Sequence, residues 1–356
     1  MTTTGRTSQA DNQVSAYTDL ARRIKEEGLL ERSPRRYVPR VLLLVAGYGA
    51  AMYALLSIGK SWWQLLVAAG FGVLFTQTAF LGHDAAHRQI FTSGRWNEWT
   101  SRVVANGIVG LSHGWWMRKH SRHHANPNKV GADEDIRPGV ILFTTEDVAL
   151  RTTGLKGWFT ARQGWLFFPL LTLEGLSLHV GAIRTVVTEA ALRHRRTETA
   201  LLGVRLLGWP LLVVSVLGPG LGTAFLAVQL MVFGIYMGAS FAPNHKGMPL
   251  VARDTTVDFL SRQVLTSRNV RGGRWVDWLM GGLNLQIEHH LFPSMPSSNL
   301  RRAQQIVREY CSDHDVPYTE AGLLESYGIV VRHLNRVGLS DRDPFTCPFV
   351  VAHRTG

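Results

Sequence analysis

Four apolar runs of membrane-spanning length constrain this chain more than any other feature. Val41 to Ile58, Trp63 to Leu81 and Leu221 to Phe241 carry no charged residue, and Leu201 to Leu217 carries only Arg205. A helix rises about 1.5 Å per residue, so roughly 17 to 25 apolar residues cross a ~30 Å hydrocarbon layer. Backbone groups in lipid must bond within their own segment, which makes each run a helix. The turns between them are short. Lys60 stands in the first, followed by Trp62 and Trp63 as an interface belt, and Gly218-Pro219-Gly220 forms the second. Two hairpins are expected, with spans at about 41–58, 63–81, 201–217 and 221–241. The stretches 103–111 and 165–180 are apolar but short, or interrupted by Pro169, Glu174 and His179, and read as interfacial or re-entrant segments.

Charge then orients the hairpins. The chain has 38 Lys and Arg against 26 Asp and Glu, a net +12. Apart from Lys60 and Arg205 nearly all the cations lie outside the spans and their tight turns, on the side that the positive-inside rule assigns to the cytoplasm. Arg205, a few residues into its span, is placed to snorkel back. Both termini then fall on the cytoplasmic side. No basic stripe with a recognised binding module accompanies the charge, so nucleic acid is not the expected partner; an anionic membrane face or an acidic protein is.

The remaining segments frame this core. Residues 1–14 are Thr-, Ser- and Gln-rich and read as disordered. Residues 16–30 read as an amphipathic helix, with Tyr17, Leu20 and Ile24 on one side, lying on the membrane surface or over a soluble cap. Arg32, Arg35, Arg36 and Arg40 form a basic stop before the first span, and the polar first 30 residues carry no cleavable signal. Pro293 and Pro296 break the chain, Ser298 is the expected N-cap of a helix over 299–312, and a second helix is expected over 320–337. The expected division is 1–40 as tail and interfacial helix, 41–310 as the main membrane domain, and 311–356 as a cytoplasmic helical extension. Cys311 and Cys347 make no disulfide framework.

Histidines cluster where the spans end. His83 and His87 are four apart; His120, His123 and His124 follow HxxHH spacing; Gln286-Ile287-Glu288-His289-His290 repeats it with Gln in the first place. Residues three and four apart share a helix face, so each run aims its rings at one point. His245 stands alone beside Asn244 after the fourth span. Neutral imidazole is the commonest protein metal ligand and suits iron. Eight histidines are too many for one four-coordinate zinc, but suit two irons with positions left for oxygen. Such a pair activates O2, and a site beneath spanning helices expects an apolar, alkyl-chain substrate. Gln286 reads as a weak oxygen ligand or a hydrogen-bond partner to bound water. Asp84 and Glu288 read as carboxylates that orient an imidazole or as solvated groups. Arg268, Arg271 and Arg274 read as a phosphate-binding or a generic basic loop, and Trp115, Trp116, Trp275 and Trp278 as channel or packing residues.

The boxes HDAAH, HSRHH and QIEHH, with Asn244-His245, resemble the membrane fatty acid desaturase family, over about residues 40–310. Gln286 is similar to the subgroup of front-end and related acyl desaturases, where Gln commonly replaces the first His of the third box. The resemblance implies an all-α integral membrane fold, with four transmembrane helices under a cytoplasmic helical cap. It implies a non-haem di-iron centre that uses O2 and two electrons to place a cis double bond in an acyl chain on CoA or lipid. His83, His87, His120, His123, His124, His289 and His290 match the family's ligands, and His245 its isolated ligand histidine. Some members hold a water-bridged Asn four residues before that histidine; here Phe241 stands there and Asn244 is adjacent. No haem-binding HPGG of a fused cytochrome b5 occurs, which implies a separate ferredoxin, rubredoxin or cytochrome b5-type donor with its reductase. The competing enzyme class is a related di-iron hydroxylase or oxygenase acting on alkyl, sphingoid or carotenoid substrates. A transporter would be expected to place its polar groups near mid-bilayer, whereas these histidines lie past the ends of the spans, and a bis-haem subunit would need histidine pairs inside the spans, which are histidine-free.

Overall fold

The computed structural model describes residues 17–150 and 153–339. The tail over 1–14, the start of the first amphipathic helix at Ala16, Cys347, His353 and the end of the expected C-terminal extension lie outside the described residues. The chain is mostly helical; its strands are three residues long, β1 (Asn269–Arg271) and β2 (Glu320–Gly322), paired in parallel with Val270 opposite Ala321. It divides into two compact units. The first comprises 17–31, 120–167 and 241–339, and the second Arg32–Lys119 with Phe168–Ser240.

Five helices, rather than four, are long and apolar enough to span a membrane: Pro34–Ser57, Gln64–Ala86, Gln163–Thr188, Arg195–Leu217 and Pro219–His245. The additional one covers the stretch expected to be re-entrant. Pro169 costs it a single tightened turn at Leu171–Leu173, after which Glu174–Thr188 continues as α-helix. His179 is buried there, with Nε2 3.1 Å from the Val109 carbonyl. Gly110, at φ +93°, ends the π-helical turn Val103–Val109, and a Cβ at that position would lie 2.9 Å from the His179 ring. The His179 imidazole, which looked disqualifying, is therefore paired within the second unit.

Small residues let the helices of this unit approach closely. Cβ atoms on Gly175 and Gly234 would lie 2.5 Å from the Leu230 carbonyl and 2.4 Å from the Leu171 carbonyl. Gln64 donates to the carbonyls of Leu55 and Gly59, which ties the first hairpin turn, and Trp209 donates to Gln229 at 2.7 Å. Leu42, Leu43, Val45, Tyr53 and Leu56 of the first long helix are exposed, as a lipid-facing surface requires. Arg205 does not snorkel: it is buried, donates to the Ile108 carbonyl at 2.5 Å and lies 4.3 Å from the Phe75 ring centroid.

In the first unit, the helix over 17–26 buries Leu20 and Ile24 in one core with Ile287, Leu291, Met295, Leu300 and Val307. Its amphipathic face thus covers the third histidine box, and Tyr17 Oη donates to the Leu291 carbonyl. The expected C-terminal helices appear as Leu300–Asp313 and Leu323–Gly338, the latter starting three residues late because Glu320–Gly322 pairs as β2. Asn299, not Ser298, occupies the N-cap, since Ser297–Asn299 forms a preceding 3-10 turn. Cys311 is a buried free thiol in this core.

Candidate metal centre

Three rings of the first unit converge from three elements: His123 from helix His113–Ala125, His245 from the end of helix Pro219–His245, and His290 from helix Gln286–Leu291. All are buried, and the donor nitrogens they offer lie within 4.8 Å of one another. Each Nδ1 has an acceptor behind it. His123 Nδ1 donates to Asp133 Oδ2 at 3.0 Å, His245 Nδ1 to the Thr266 carbonyl at 3.0 Å, and His290 Nδ1 to Gln263 Oε1 at 2.9 Å. The orientation of the Gln263 amide is settled by its own Nε2, which donates to the His124 carbonyl at 2.9 Å. With all three Nδ1 atoms protonated, a neutral ring presents a lone pair at Nε2.

Those lone pairs face one another. His123 Nε2 and His245 Nε2 stand 3.2 Å apart, a contact that two neutral acceptors cannot make without a cation between them. Either a proton or a metal ion satisfies it, and the three-nitrogen donor set with acceptors behind every ring fits a resident metal. Burial opposes charge on His123, but the hydrogen bond it donates to Asp133 and the charges of Asp135 and Asp133 outweigh it and hold the ring above its ordinary pKa. Asp133 lies below the ordinary carboxylate range despite its own burial, because His123 bonds to it.

A second group lies beside the first. His120 and His124, one turn apart, bring their Nε2 atoms to 3.0 Å, and the His289 ring lies 4.8 Å from that of His124. In the second unit, His83 and His87 close the helix Gln64–Ala86 with ring centroids 4.6 Å apart, as four-residue spacing demands. The Trp116 ring is edge-on to both. Burial, then the neighbouring His83 charge, keeps His87 well below its ordinary pKa, and so neutral and able to ligate.

The neighbours divide sharply. Asn244 donates to the Leu283 carbonyl at 3.0 Å and to Gln286 Oε1 at 3.1 Å, which turns the Gln286 Nε2 group toward His245 Nε2 at 3.0 Å. The Gln286 amide thus places its Nε2 beside the His245 ring. Asp84 Oδ1 stands 3.6 Å from His83 Nδ1 while Oδ2 faces Arg40 at 3.4 Å. Glu288 turns away from the rings: it accepts from Asn269 at 2.8 Å and Tyr318 at 2.6 Å, and burial lifts its carboxyl to about 7. Arg268 is no phosphate clamp, being buried with its guanidinium on the carbonyls of Pro243 and Lys246. Trp275 and Trp278 are exposed. Spacing did not reveal Asp133, Thr266 or Gln263. The available signal was a three-residue rhythm of polar groups, Gln263, Thr266 and Asn269, leading into the stretch read as a basic loop.

Spanning-length apolar helices and clustered buried imidazoles define a membrane protein with metal-binding potential. The Fatty acid desaturase family model matches residues 60–322, and the chain belongs to that family. It is 31% identical over 315 residues to the Delta(5) fatty acid desaturase fat-4 of Caenorhabditis elegans, covering 85% of this chain and 69% of that one. It is 27% identical to the Delta(8)-fatty-acid desaturase of Helianthus annuus, over 92% of this chain and 74% of the relative. The Acyl-lipid (9-3)-desaturase of Borago officinalis is likewise 27% identical, over 92% and 75%. The protein is a membrane fatty acyl desaturase, an oxidoreductase of lipid metabolism.

Proposed function

We propose that this desaturase forms a cis double bond at a non-haem di-iron centre whose ligands are His83, His87, His120, His123, His124, His245, His289 and His290. The observation that carries the reading is the triad His123, His245 and His290, in which every Nδ1 is committed to an acceptor. The reaction balances as –CH2–CH2– + O2 + 2 e− + 2 H+ → –CH=CH– + 2 H2O. When bound, the iron pair would supply the O2 activation that no protein side chain offers.

The chain's own residues do the rest. Asp133, Thr266 and Gln263 fix ring orientation and tautomer, so the Nε2 lone pairs are preorganised before a metal arrives. Gln286 acts on His245 as a hydrogen-bond partner rather than as a ligand, Asn244 orients the Gln286 amide, and Asp84 links His83 to Arg40. Burial of the cluster excludes water from a reaction that must spare its oxidant for C–H bonds. Electrons come from a separate ferredoxin, rubredoxin or cytochrome b5-type carrier with its reductase, and a basic cytoplasmic face suits an acidic donor. In the topology we propose, two hairpins supply the four spans at about 41–58, 63–81, 201–217 and 221–241. Helix Gln163–Thr188 lies in the interface, and both termini and the histidines face the cytoplasm. The main catalytic domain is 41–310, flanked by 1–40 and 311–356.

Expression in a host of defined fatty acid composition, followed by double-bond mapping, tests the reading. A new double bond that disappears in His123→Ala is the expected result. A new hydroxyl group in its place would make the protein the related hydroxylase, and an unchanged profile in His123→Ala would remove the assigned centre.

A further inference from the structure

Directly after His87, the second unit holds two overlapping recesses of about 540 and 270 Å3 that share Arg88, Glu98 and Arg193 in their walls. Arg95 lines the larger and Arg102 the smaller, so four guanidiniums face one lining carboxylate. That carboxylate is already shared: Glu98 Oε1 lies 3.1 Å from Arg102, 3.7 Å from Arg193 and 4.0 Å from His194. Among the described residues no carboxylate lies within 4 Å of the Arg88 or Arg95 guanidinium, and neither is named in any ion pair. Among the described residues, the recess carries more positive charge than the carboxylates beside it balance.

The recess is also built rather than incidental. Arg102 is only 2% exposed, pinned by Glu98 and by the fully buried Glu198. Its guanidinium lies 5.3 Å from the Trp99 ring centroid, and the His194 ring lies 5.3 Å from it as well. Arg88 and His194 both adopt left-handed backbone, at φ +58° and +59°, a conformation costly for residues with side chains. The Arg88 carbonyl is held by Arg32 Nε at 2.8 Å, and its guanidinium lies 3.9 Å from where a Cβ on Gly94 would stand. Trp96, 67% exposed on the same short helix Gly94–Arg102, is the side chain that marks headgroup depth in a membrane.

We propose that this recess binds the phosphate-bearing head of the acyl substrate, with Arg102 as its fixed wall, Arg88 and Arg95 as its free cationic arms, and the exposed Arg193 at its rim. The guanidinium fork matches phosphate oxygens in pairs. A site for the head beside the first histidine box holds the acyl chain in one register relative to the reacting carbons, which is how a desaturase selects a position along an otherwise uniform chain. The assignment rests on the fatty acyl desaturase activity and adds the chemistry of the carrier: a nucleotide phosphate, as on CoA, or a glycerophosphate, as on a membrane lipid.

Full-length protein in phosphatidylcholine nanodiscs is titrated separately with adenosine 3′,5′-bisphosphate and with glycerol 3-phosphate, binding being read by phosphorus NMR. Saturable binding of one probe, weakened about tenfold by Arg88→Gln and further in R88Q/R95Q, is expected. Arg196→Gln, which removes an exposed charge that does not line the recess, should bind as the unaltered protein does. Preference for the nucleotide assigns a CoA-type carrier, preference for glycerol 3-phosphate a lipid, and equal binding a site for phosphate itself. Binding of neither probe, or equal binding by R88Q/R95Q, overturns the proposal. Lipid analysis of cells expressing the unaltered protein reads the desaturase activity independently. Its failure there would remove that activity and leave the phosphate measurement standing.

Discussion

Two buried polar clusters, one in each unit, differ in a way that separates architecture from chemistry. In the second unit, the fully buried Glu198 carboxylate accepts from Asn106 at 3.1 Å, Ser112 at 2.8 Å, the Gly114 amide at 3.1 Å and Arg102 at 3.5 Å. Every lone pair has a donor, and the cluster is closed. In the first unit, His123, His245 and His290 are equally buried but direct committed N–H groups outward and lone pairs inward. That cluster is complete only around a cation. A closed network stabilises a fold, whereas an open one of like acceptors costs stability until something binds.

The comparison breaks if the two clusters respond alike to substitution. The largest effect is expected from His123→Ala, which should reduce desaturation to the host background and lower bound iron by elemental analysis, while the protein still elutes as a folded species. Glu198→Ala should do the reverse: it leaves the Arg102 charge without its buried partner and costs about 3–5 kcal/mol of stability, read as a lower Tm in detergent, with iron content retained. Loss of iron in E198A at temperatures where it stays folded would erase the distinction.

His113 sharpens the same contrast through pH. Burial, followed by the Arg102 charge, pushes its imidazole down to about 4. Between about pH 4 and its ordinary value of 6.5 the unfolded chain binds a proton that the folded chain refuses. The stabilisation is whole above pH 6.5 and is lost as pH falls through about 4. Across that window it amounts to something on the order of 3 kcal/mol, and His113→Gln should flatten that part of the Tm profile. An H113Q profile as steep as the unaltered one would refute it. The smallest effect belongs to Gln263→Ala, which unpins His290 without removing a ligand. Iron affinity should fall roughly 10- to 100-fold, with Tm nearly unchanged.

How far the site was legible follows from the range of each interaction. Box spacing is local, so the pairings His83–His87 and His120–His124 were readable from helix geometry alone. Asp133 and Gln263 lie 10 and 27 residues from the rings they hold, and no local period links them. Glu288, one residue before His289, read as either a ring's partner or a solvated carboxylate because only its nearness in sequence was visible. The helix turns it instead toward Asn269 and Tyr318. The length of helix Gln163–Thr188 was hidden for a related reason: Pro169 and His179 count against one continuous apolar helix when taken singly, while their cost is removed by a one-turn adjustment and by a distant carbonyl.

The amino-acid order alone determined the long apolar helices, the short turns of the hairpins and the three histidine faces, because hydrophobic run length and the 3.6-residue period act within a few turns of chain. Only the tertiary structure decided which nitrogen of each ring points inward, which amides and carboxylates stand behind them, that Arg268 serves helix carbonyls, and that Arg88 and Arg95 are left with charge to spare. Those outcomes depend on partners tens to hundreds of residues apart, whose meeting is settled by packing and by the cost of leaving a buried polar group unsatisfied.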